Sequence, residues 1–287
     1  MSKVWLITGA SRGLGRAFTE AALKAGDRVV ATARNPEQLV EFERRYAGNI
    51  RSVPLDVTDQ AQAKAAFEAA IASFGGLDVL VNNAGYGYVC PVEDTSLADF
   101  RAQIETNLFG VIIMTKAVLP YFRERRAGHI IQVTSIAGRI GPAGRAPYAA
   151  AKFGVEGFSE SLSKEIGPLG VKVTIIEPGG FRTDFAGSST ELSEGRSEYD
   201  STVGASVRFQ RSYNGKQPGD PAKAAAVLLH VASLSDPPLR LLLGSDSYAA
   251  AEKSALEKLE SDSKWREISL STDYSSNGHM SKNPVNS

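Results

Sequence analysis

Cysteine, an excess of either charge, and long apolar runs are all scarce in this sequence, and each absence excludes a class of protein. The one cysteine, Cys90, cannot form a disulfide within the chain, which is compatible with a reducing compartment. Lysine plus arginine and aspartate plus glutamate number 32 each, so no basic excess indicates a surface for nucleic acid or membranes. No apolar run approaches the roughly 20 residues that cross a bilayer, and the chain enters a strand-like run at Val4 with no room for a signal peptide. We therefore predict a soluble, cytoplasmic protein without nucleic-acid or membrane partners, and we interpret Cys90 as a half-buried packing residue.

Short apolar runs alternate with longer amphipathic ones through the first three quarters of the 287 residues. The apolar runs do not alternate strictly with polar residues, and a helix-like segment follows each, which is typical of a parallel sheet covered on both faces. The sequence therefore predicts an α/β fold, namely a single Rossmann-like, doubly wound parallel sheet of about seven strands with helices on both faces. The predicted strands lie at residues 4–7, 28–32, 50–55, 77–81, 130–133, 171–176 and 239–243.

Three stretches depart from this alternation. The long helical stretch 97–126 contains Pro120, which should kink or divide it. Residues 183–219 are rich in Ser, Gly, Glu and Arg and are too long for an ordinary connection, so we predict a substrate loop or a disordered insertion. A helix is predicted over 246–260, which ends the single domain 1–260, and the polar residues 261–287 are predicted to form a flexible tail.

The stretch from Ser135 to Lys152 carries the candidate chemistry. Ser135 follows an apolar strand, a Gly/Pro-rich loop comes next, and an Ala-rich helix begins near Tyr148. Tyr148 and Lys152 are four residues apart, so on a helix they share one face. A neighbouring ammonium group lowers the pKa of a phenol, so Tyr148 is a candidate general acid and base. The same spacing also arises by chance on surface helices, so the interpretation depends on the motifs around it.

The first strand ends in a glycine-rich turn, Thr8-Gly9-Ala10-Ser11-Arg12-Gly13-Leu14-Gly15. Glycines between a strand and a helix let the backbone approach a pyrophosphate, although such a turn can also be purely structural. The second strand ends at Arg34 without the carboxylate that binds the ribose 2′-hydroxyl of NAD. Arg34 and Arg12 offer positive charge for the 2′-phosphate of NADP, unless both are merely solvated. The sequence therefore predicts NADP(H) in preference to NAD(H).

In this order and spacing, the motifs over residues 3–245 resemble those of the short-chain dehydrogenase/reductases, in their compact single-domain branch. The glycine-rich turn matches that branch, and so does Asn82-Asn83-Ala84-Gly85 after the fourth strand, which in the family stabilises the sheet and lines the cofactor site. The resemblance implies that the following residues bind the cofactor: Gly9, Ser11, Arg12, Gly13, Leu14, Gly15, Arg34, Asp56, Val57, Asn83, Ala84, Gly85, Tyr148, Lys152, Pro178, Gly179 and Thr183.

The resemblance also implies a catalytic set of Asn107, Ser135, Tyr148 and Lys152. Tyr148 would give a proton to the forming alkoxide or remove it in oxidation, and Lys152 would bind the nicotinamide ribose and lower the pKa of Tyr148. Ser135 would hydrogen-bond the carbonyl oxygen. Asn107 would hold a proton-relay water, or else it is a helix-kink residue bonded to a local carbonyl. The expected activity is interconversion of a ketone and a secondary alcohol by hydride transfer with NADP(H), without a metal.

The substrate and the assembly are specified less closely. Candidate substrate-lining side chains, each of which could equally be a packing residue, are Tyr86, Tyr88, Ile140 and Phe185. The family forms dimers or tetramers through the long helix and the Tyr148 helix. A homo-dimer or homo-tetramer is therefore predicted, with Ala117, Phe153 and Val155 as apolar outer positions.

Two other functions use some of the same features. A catalytically idle dinucleotide sensor would need the glycine-rich turn but not Ser135, Tyr148 and Lys152 together. A sugar-nucleotide epimerase or dehydratase also uses Tyr-x-x-x-Lys, but such chains resemble a longer branch with a C-terminal substrate domain, for which too little chain follows Gly244. The intact set therefore favours the oxidoreductase, with a small carbonyl or alcohol compound as its partner.

Overall fold

The computed structural model describes residues 2–274, which form nine strands and ten α-helices joined by shorter 3₁₀ and π turns. The strands are β1 (Val4–Ile7), β2 (Arg28–Ala33), β3 (Ile50–Pro54), β4 (Val79–Asn82), β5 (Gly87–Val89), β6 (Gly128–Val133), β7 (Val171–Pro178), β8 (Thr190–Leu192) and β9 (Arg240–Leu243). The helices are α1 (Gly13–Lys24), α2 (Val40–Arg45), α3 (Gln60–Phe74), α4 (Leu97–Ile104), α5 (Gly110–Arg125), α6 (Ala146–Ile166), α7 (Ala205–Tyr213), α8 (Pro221–Ser233), α9 (Ser245–Lys264) and α10 (Arg266–Leu270).

Seven of these strands form one parallel sheet in the order β3-β2-β1-β4-β6-β7-β9. All seven predicted strands are present, and the Rossmann-like fold predicted from sequence is confirmed. The chain steps outward from β1 to β3 and then returns to the other side of β1 at β4. Ligands of such sheets bind at the carboxyl ends of the strands, beside this change of direction.

Successive strand residues face two cores, one on each side of the sheet. In β1, Trp5 and Ile7 belong to the core covered by α1 and α8, while Val4 and Leu6 belong to the core covered by α3, α5 and α6. All four side chains are buried. Burial on both faces explains why the apolar runs of the sequence lack a polar alternation.

The predicted long helix is present from Leu97 to Arg125, but its irregular turn does not lie at Pro120. The helix α5 continues through Pro120, and a π turn at Glu105–Phe109 separates α4 from α5. By length and composition, Leu97–Arg125 is apolar enough to cross a membrane, with a mean hydropathy of 1.2 in its most apolar window. The sequence argument found no such run, and this stretch meets the test by length and composition only. Side chains of this stretch such as Met114 pack in the core that contains Val4 and Leu6 of β1, as expected for a helix that covers a sheet.

Residues 183–219 are structured and lie against the sheet domain. The strand β8 pairs in parallel with β5, and both strands are three residues long and were not predicted. Val207 of α7 shares a small apolar cluster with Val89 of β5. Arg196 forms an ion pair with Glu93 at 2.6 Å. The segment is therefore an ordered part of the fold that packs on the domain, rather than a disordered insertion.

The C-terminal helix is longer than the predicted 246–260. The helix α9 extends to Lys264 and α10 continues to Leu270, so the first part of the predicted tail is helical. Lys258 of α9 donates a hydrogen bond to the carbonyl oxygen of Arg139 at 2.9 Å, which attaches the helix to the loop after β6. The end of the predicted tail, residues 275–287, lies outside the described residues, and the domain boundary at 260 stays a prediction.

The three apolar positions proposed for an oligomer contact differ in exposure. Phe153 is 43% exposed, as an outer position should be. Val155 is fully buried, because it lies three residues after Lys152 on the inward face of α6, and Ala117 packs against the second core. The choice of Val155 as an outer position is therefore wrong. Ala117 is half-buried, and its role and the oligomer itself stay predictions.

Candidate active site

A cavity of about 620 Å³ lies at the carboxyl ends of the parallel strands, within the size range of small-molecule sites. Every residue predicted to bind the cofactor or to act in catalysis, with the exception of Gly15, lines this one cavity. These are Gly9, Ser11, Arg12, Gly13, Leu14, Arg34, Asp56, Val57, Asn83, Ala84, Gly85, Asn107, Ser135, Tyr148, Lys152, Pro178, Gly179 and Thr183.

The glycine-rich turn between β1 and α1 requires glycine for two different reasons. Gly9 and Gly13 have φ of +65° and +58°, the left-handed region that other residues rarely adopt. A Cβ on Gly9 would also lie 2.9 Å from the Cα of Ala84. Gly15 faces inward instead, where a Cβ would overlap the carbonyl oxygen of Gly9 and the side chain of Asn83. Gly15 therefore allows α1 to pack closely on the turn and does not itself line the cavity, and its part in cofactor binding stays a prediction.

Thr8 and the asparagine motif after β4 hold this turn in place. The hydroxyl of Thr8 accepts hydrogen bonds from the backbone N–H groups of Asn83 at 2.9 Å and Ala84 at 3.0 Å. The Asn83 side chain in turn donates to the carbonyl oxygen of Thr8 at 2.9 Å. Buried Asn82 donates to Gln132 on β6 at 2.9 Å. The motif thus connects β1, β4 and β6 at the edge where the cavity opens.

Two exposed arginines give the cavity positive charge near the end of β2. Arg12 and Arg34 both line it, together with Asn35 and Gln38, which sequence reasoning missed. The side chain of Asn35 accepts a hydrogen bond from the N–H of Glu37 and so caps the turn that follows. No carboxylate from this part of the chain lines the cavity among the described residues. The charge distribution fits a phosphate group better than an unmodified ribose.

The carboxylate of Asp56 is held in a fixed orientation after β3. Its Oδ1 accepts hydrogen bonds from the N–H of Thr58 at 3.0 Å and from the hydroxyl of Thr58 at 2.7 Å. Asp56 and Val57 both line the cavity. An oriented carboxylate beside an apolar side chain can accept a hydrogen bond from an adenine amino group while the base packs on the apolar surface.

The strand β6 and the helix α6 position the three residues predicted to act on the carbonyl group. Ser135 follows β6 by two residues, and its hydroxyl accepts a hydrogen bond from the N–H of Ala137 at 3.1 Å. Tyr148 and Lys152 lie one turn apart on α6, and each is 4% exposed. The Nζ of Lys152 lies 5.7 Å from the centre of the Tyr148 ring and donates to the carbonyl oxygen of Val133 at 2.9 Å.

The pKa of Tyr148 differs from the sequence prediction. Burial raises the pKa of Tyr148 above its usual value, and the Ser135 hydroxyl and the Arg145 guanidinium offset this only in part. Burial also lowers the pKa of Lys152 to about 8, against the opposing charge of Glu156. Arg145 is therefore a cation near Tyr148 that the sequence analysis did not consider, and burial outweighs the lowering of the Tyr148 pKa that was expected from a neighbouring positive charge. The buried phenol stays protonated at neutral pH, which is the form that donates a proton.

Asn107 lies in the π turn between α4 and α5 and is fully buried. Its side-chain N–H groups donate to the carbonyl oxygens of Tyr86 at 3.1 Å and Gln103 at 3.2 Å, and its Oδ1 accepts from the N–H of Tyr86 at 3.2 Å. A Cβ on Gly85 would overlap this oxygen. An irregular helical turn and a bond to a local carbonyl are thus both present, and the relay of protons through a water stays a prediction.

The end of β7 and the start of the 183–219 segment close one side of the cavity. Pro178 is the last residue of β7, and Gly179 follows it. The Thr183 side chain lies 3.6 Å from the position that a Cβ on Gly13 would occupy, so this segment crosses in front of the glycine-rich turn. The hydroxyl of Thr183 accepts a hydrogen bond from the N–H of Phe185 and starts a short 3₁₀ turn.

Two of the four candidate substrate-lining residues line the cavity. Tyr86 and Phe185 line the cavity, whereas Tyr88 and Ile140 do not. Tyr88 is buried within β5. Cys90 is also buried, more completely than the predicted half burial, and lies outside the cavity, so it is a packing residue.

Further lining residues were missed in the sequence. They come from the loop before α6 and from the 183–219 segment, and they include Pro142, Arg145, Ser206, Phe209, Gln210, Tyr213 and Gln217. Arg145 could have been identified, because a residue three positions before Tyr148 lies on the same side of a helix. The residues from 206 to 217 belong to a segment whose path depends on its contacts with distant parts of the chain, for which the local sequence carries no signal.

Known proteins resemble this chain in sequence and in structure. The sequence model of the short chain dehydrogenase family matches residues 3–193. Oxidoreductase BOA17 of Botryotinia fuckeliana is 46% identical over 273 residues, which is 95% of this chain and 100% of that protein. A short-chain dehydrogenase from Streptomyces avermitilis has a TM-score of 0.89 and 38% identity, and covers 95% of this chain and 98% of its own. The closed form of serine dehydrogenase complexed with NADP+ has a TM-score of 0.73 and 31% identity, and covers 84% and 94% of the two chains.

A parallel sheet with a glycine-rich turn after β1, and with Ser135, Tyr148 and Lys152 at the same edge, defines an oxidoreductase that binds a nicotinamide dinucleotide. The relatives agree with this class over nearly the whole chain. The chain belongs to the short-chain dehydrogenase family, as its sequence motifs indicated.

Proposed function

We propose that this protein is an NADP(H)-dependent oxidoreductase that interconverts a ketone and a secondary alcohol by hydride transfer. One observation carries the proposal. A single cavity contains Arg12 and Arg34 near the end of β2 and the buried pair Tyr148 and Lys152 on α6. A phosphate-binding region and a proton donor are therefore parts of one site.

The residues of the cavity fit the dinucleotide. The left-handed glycines Gly9 and Gly13 leave the backbone open to a pyrophosphate at the N-terminus of α1. Arg12 and Arg34 would bind the 2′-phosphate, and the oriented carboxylate of Asp56 would accept from the adenine amino group. When bound, the nicotinamide supplies or accepts the hydride. The related serine dehydrogenase structure contains NADP+, which supports this choice of cofactor.

The protein's own part of the reaction is to orient the carbonyl group and move one proton. Tyr148, protonated at neutral pH, would donate its proton to the carbonyl oxygen as negative charge develops there. The Ser135 hydroxyl would donate a second hydrogen bond to the same oxygen. Lys152 would hold the nicotinamide ribose, and Asn107 would position a water that returns a proton to the site.

A dinucleotide-sensing regulatory protein on the same fold is the alternative. Such a protein needs the cofactor half of the cavity, but it has no use for a buried proton donor beside a serine hydroxyl. The assembly of Ser135, Tyr148 and Lys152 therefore favours the enzyme. We also propose that the enzyme acts in the cytoplasm as a homo-dimer or homo-tetramer on a small carbonyl or alcohol compound.

A panel of ketones and secondary alcohols, assayed with each of the four nicotinamide cofactors by nicotinamide absorbance, tests the proposal. We expect turnover with NADPH or NADP+ that exceeds turnover with NADH or NAD+. Tight binding of NADP+ without turnover of any compound in the panel would favour the sensor instead.

A further inference from the structure

Arg145 places an unpaired positive charge beside the proposed proton donor. It lies immediately before α6, three residues before Tyr148, and it is half-buried in the cavity wall. Its guanidinium donates to the side-chain oxygen of Gln210, a neutral partner. Among the described residues, no carboxylate forms an ion pair with Arg145, although Asp56 and Asp184 both line the same cavity.

The burial of this charge requires a physical explanation. Burial lowers the pKa of Arg145, which shows that its surroundings disfavour the charge. A half-buried cation without an anionic partner costs folding free energy, and one neutral amide compensates for only part of that cost. Such a cost at a cavity wall is typical of a group whose partner is a ligand.

The position of Arg145 assigns that partner to the substrate rather than to the dinucleotide. The phosphate groups of a dinucleotide have their own donors in the glycine-rich turn and in Arg12 and Arg34. Arg145 lies instead close enough to Tyr148 for its charge to act on the phenol. Its side-chain contact is with Gln210 of α7, in the segment that forms the substrate side of the cavity.

A second polar group supports this assignment independently. Gln217 lines the same cavity, is 1% exposed, and has no hydrogen-bond partner for either side-chain polar atom among the described residues. A buried carboxamide without partners is rare, because it loses the hydrogen bonds that water would give it. Its N–H₂ group is a donor of the kind that binds the second oxygen of a carboxylate. Phe185, Phe209 and Pro142 add apolar surface to the same cavity, which Asp184 and Ser206 also line.

We propose that the substrate is a keto acid, and in the reverse direction a hydroxy acid, whose carboxylate is bound by Arg145 with help from Gln217. The ketone oxygen would then lie at Tyr148 and Ser135. In reduction, the carbonyl carbon gains the hydride, the oxygen gains the Tyr148 proton, and NADPH becomes NADP+, while the carboxylate is unchanged. This inference rests on the proposed function and narrows its substrate class.

Matched acids and esters test the carboxylate site. The substrates are pyruvate, acetoacetate and levulinate, each compared with its methyl ester, which keeps the ketone and removes the charge. We expect the wild-type enzyme to prefer at least one acid over its ester. Arg145→Met should lower kcat/KM for that acid by about 10- to 100-fold, mainly through KM, because a charge-assisted pair is lost. The same substitution should change kcat/KM for the ester by less than about threefold, and Arg145→Lys should restore part of the acid activity.

Two controls separate recognition from structure. Arg211→Met removes an exposed guanidinium from α7 outside the cavity and should leave the ratio of acid to ester unchanged. If Arg145 only supports α7 through Gln210, Arg145→Met will lower the acid and ester activities by the same factor. That equal loss, or an enzyme that prefers every ester, would overturn the proposal.

A binding measurement distinguishes failure of the carboxylate site from failure of the proposed reaction. Butyrate is added to the NADP+-saturated protein, and the melting temperature is followed in a buffer without other carboxylates. Stabilisation of the wild type but not of Arg145→Met supports an anion site even if no ketone is turned over, in which case the proposed reaction is the part that fails. If butyrate stabilises the wild type and Arg145→Met equally, or stabilises neither, the proposed carboxylate site at Arg145 is contradicted.

Discussion

The ammonium group of Lys152 donates a hydrogen bond of 2.9 Å to the carbonyl oxygen of Val133. The bond joins α6 to the end of β6, two residues before Ser135, and so fixes the helix of the proposed proton donor relative to the serine. It does so without the hydroxyl of Tyr148. Lys152 therefore has a structural contact that its substitution would also remove, whereas substitution of Tyr148 by phenylalanine removes one hydroxyl only.

Tyr148→Phe should abolish turnover and leave the cofactor site intact. The phenylalanine keeps the ring that packs 5.7 Å from the Phe185 ring but cannot donate a proton. We expect kcat to fall by at least about 100-fold, as for the loss of a general acid, with little change in the dissociation constant of NADP+. Steady-state kinetics and a fluorescence titration with NADPH measure the two quantities. Substantial residual turnover would remove Tyr148 from the proposed role.

Arg34→Glu should reverse the cofactor preference. The new carboxylate would repel a 2′-phosphate and could accept from a free ribose hydroxyl, so the ratio of NADP+ to NAD+ affinity should fall by about 10- to 100-fold. Arg44→Glu makes the same charge change at an exposed position outside the cavity and should leave the ratio unchanged. In the wild type, NADP+ should raise the melting temperature more than NAD+ at equal concentration. Equal shifts would show that Arg12 and Arg34 do not select the phosphate.

Gly15→Ala should destabilise the fold. The added methyl group would overlap the carbonyl oxygen of Gly9, so α1 must move, at a cost of about 1 to 3 kcal/mol. Gly157→Ala is the matched control, because Gly157 is an exposed position of α6 where a Cβ meets nothing within 4 Å, and alanine should stabilise the helix by up to about 1 kcal/mol. Urea unfolding at one protein concentration measures both values. A neutral effect of Gly15→Ala would argue against the close packing of α1.

His129 should make the fold sensitive to acid. It is 4% exposed, and its Nε2 lies 2.9 Å from the hydroxyl of Thr174. That hydroxyl donates to the carbonyl oxygen of Pro238, so it accepts from His129, and the ring is neutral with its proton on Nε2. Burial lowers the pKa of His129 from 6.5 to about 4. The unfolded chain therefore binds more protons between these two values, and stability falls as the pH falls through this range.

The size of this effect is measurable by substitution. Protonation of His129 should lower the free energy of unfolding by about 3 kcal/mol between neutral pH and about pH 4. His129→Gln keeps a donor for Thr174 but does not titrate, so its stability should fall less between neutral and acid pH. Urea unfolding of both proteins at several pH values makes the comparison. Parallel losses in the two proteins would show that other groups cause the acid sensitivity.

The sheet could be predicted from sequence because its signals are local. Each of the seven strands is a short apolar run followed by a helical segment, and burial on both faces makes that pattern continuous. Two elements carry no such signal. The pairing of Gly87–Val89 with Thr190–Leu192 depends on a contact between residues about a hundred positions apart, and the π turn at Glu105–Phe109 lies within a sequence that is otherwise helical.

The candidate site also contains residues that local sequence signals predict and residues that depend on the whole fold. The glycine-rich turn and the pair Tyr148 and Lys152 are motifs within a single strand–turn–helix or helix, so they could be found in the sequence. Their order along the chain and the family resemblance, not the spacing of each motif alone, predicted that they share one cavity. The pKa of Tyr148 could not be predicted, because burial outweighs the effect of nearby charge and burial is a property of the whole fold. Gln210 and Gln217 could not be predicted either, because only the docked segment brings them to the cavity.

The attachment of that segment has an evolutionary consequence. The pairing of β5 with β8, the valine cluster around Val207 and the exposed ion pair of Arg196 with Glu93 hold it to the domain. None of these contacts uses a residue that lines the cofactor side of the cavity. Under the proposed function, substitutions in residues 187–213 can therefore change which molecule is accepted while the glycine-rich turn and the proposed proton donor are inherited unchanged. A lineage built on this chain could acquire new substrates without evolving hydride transfer again.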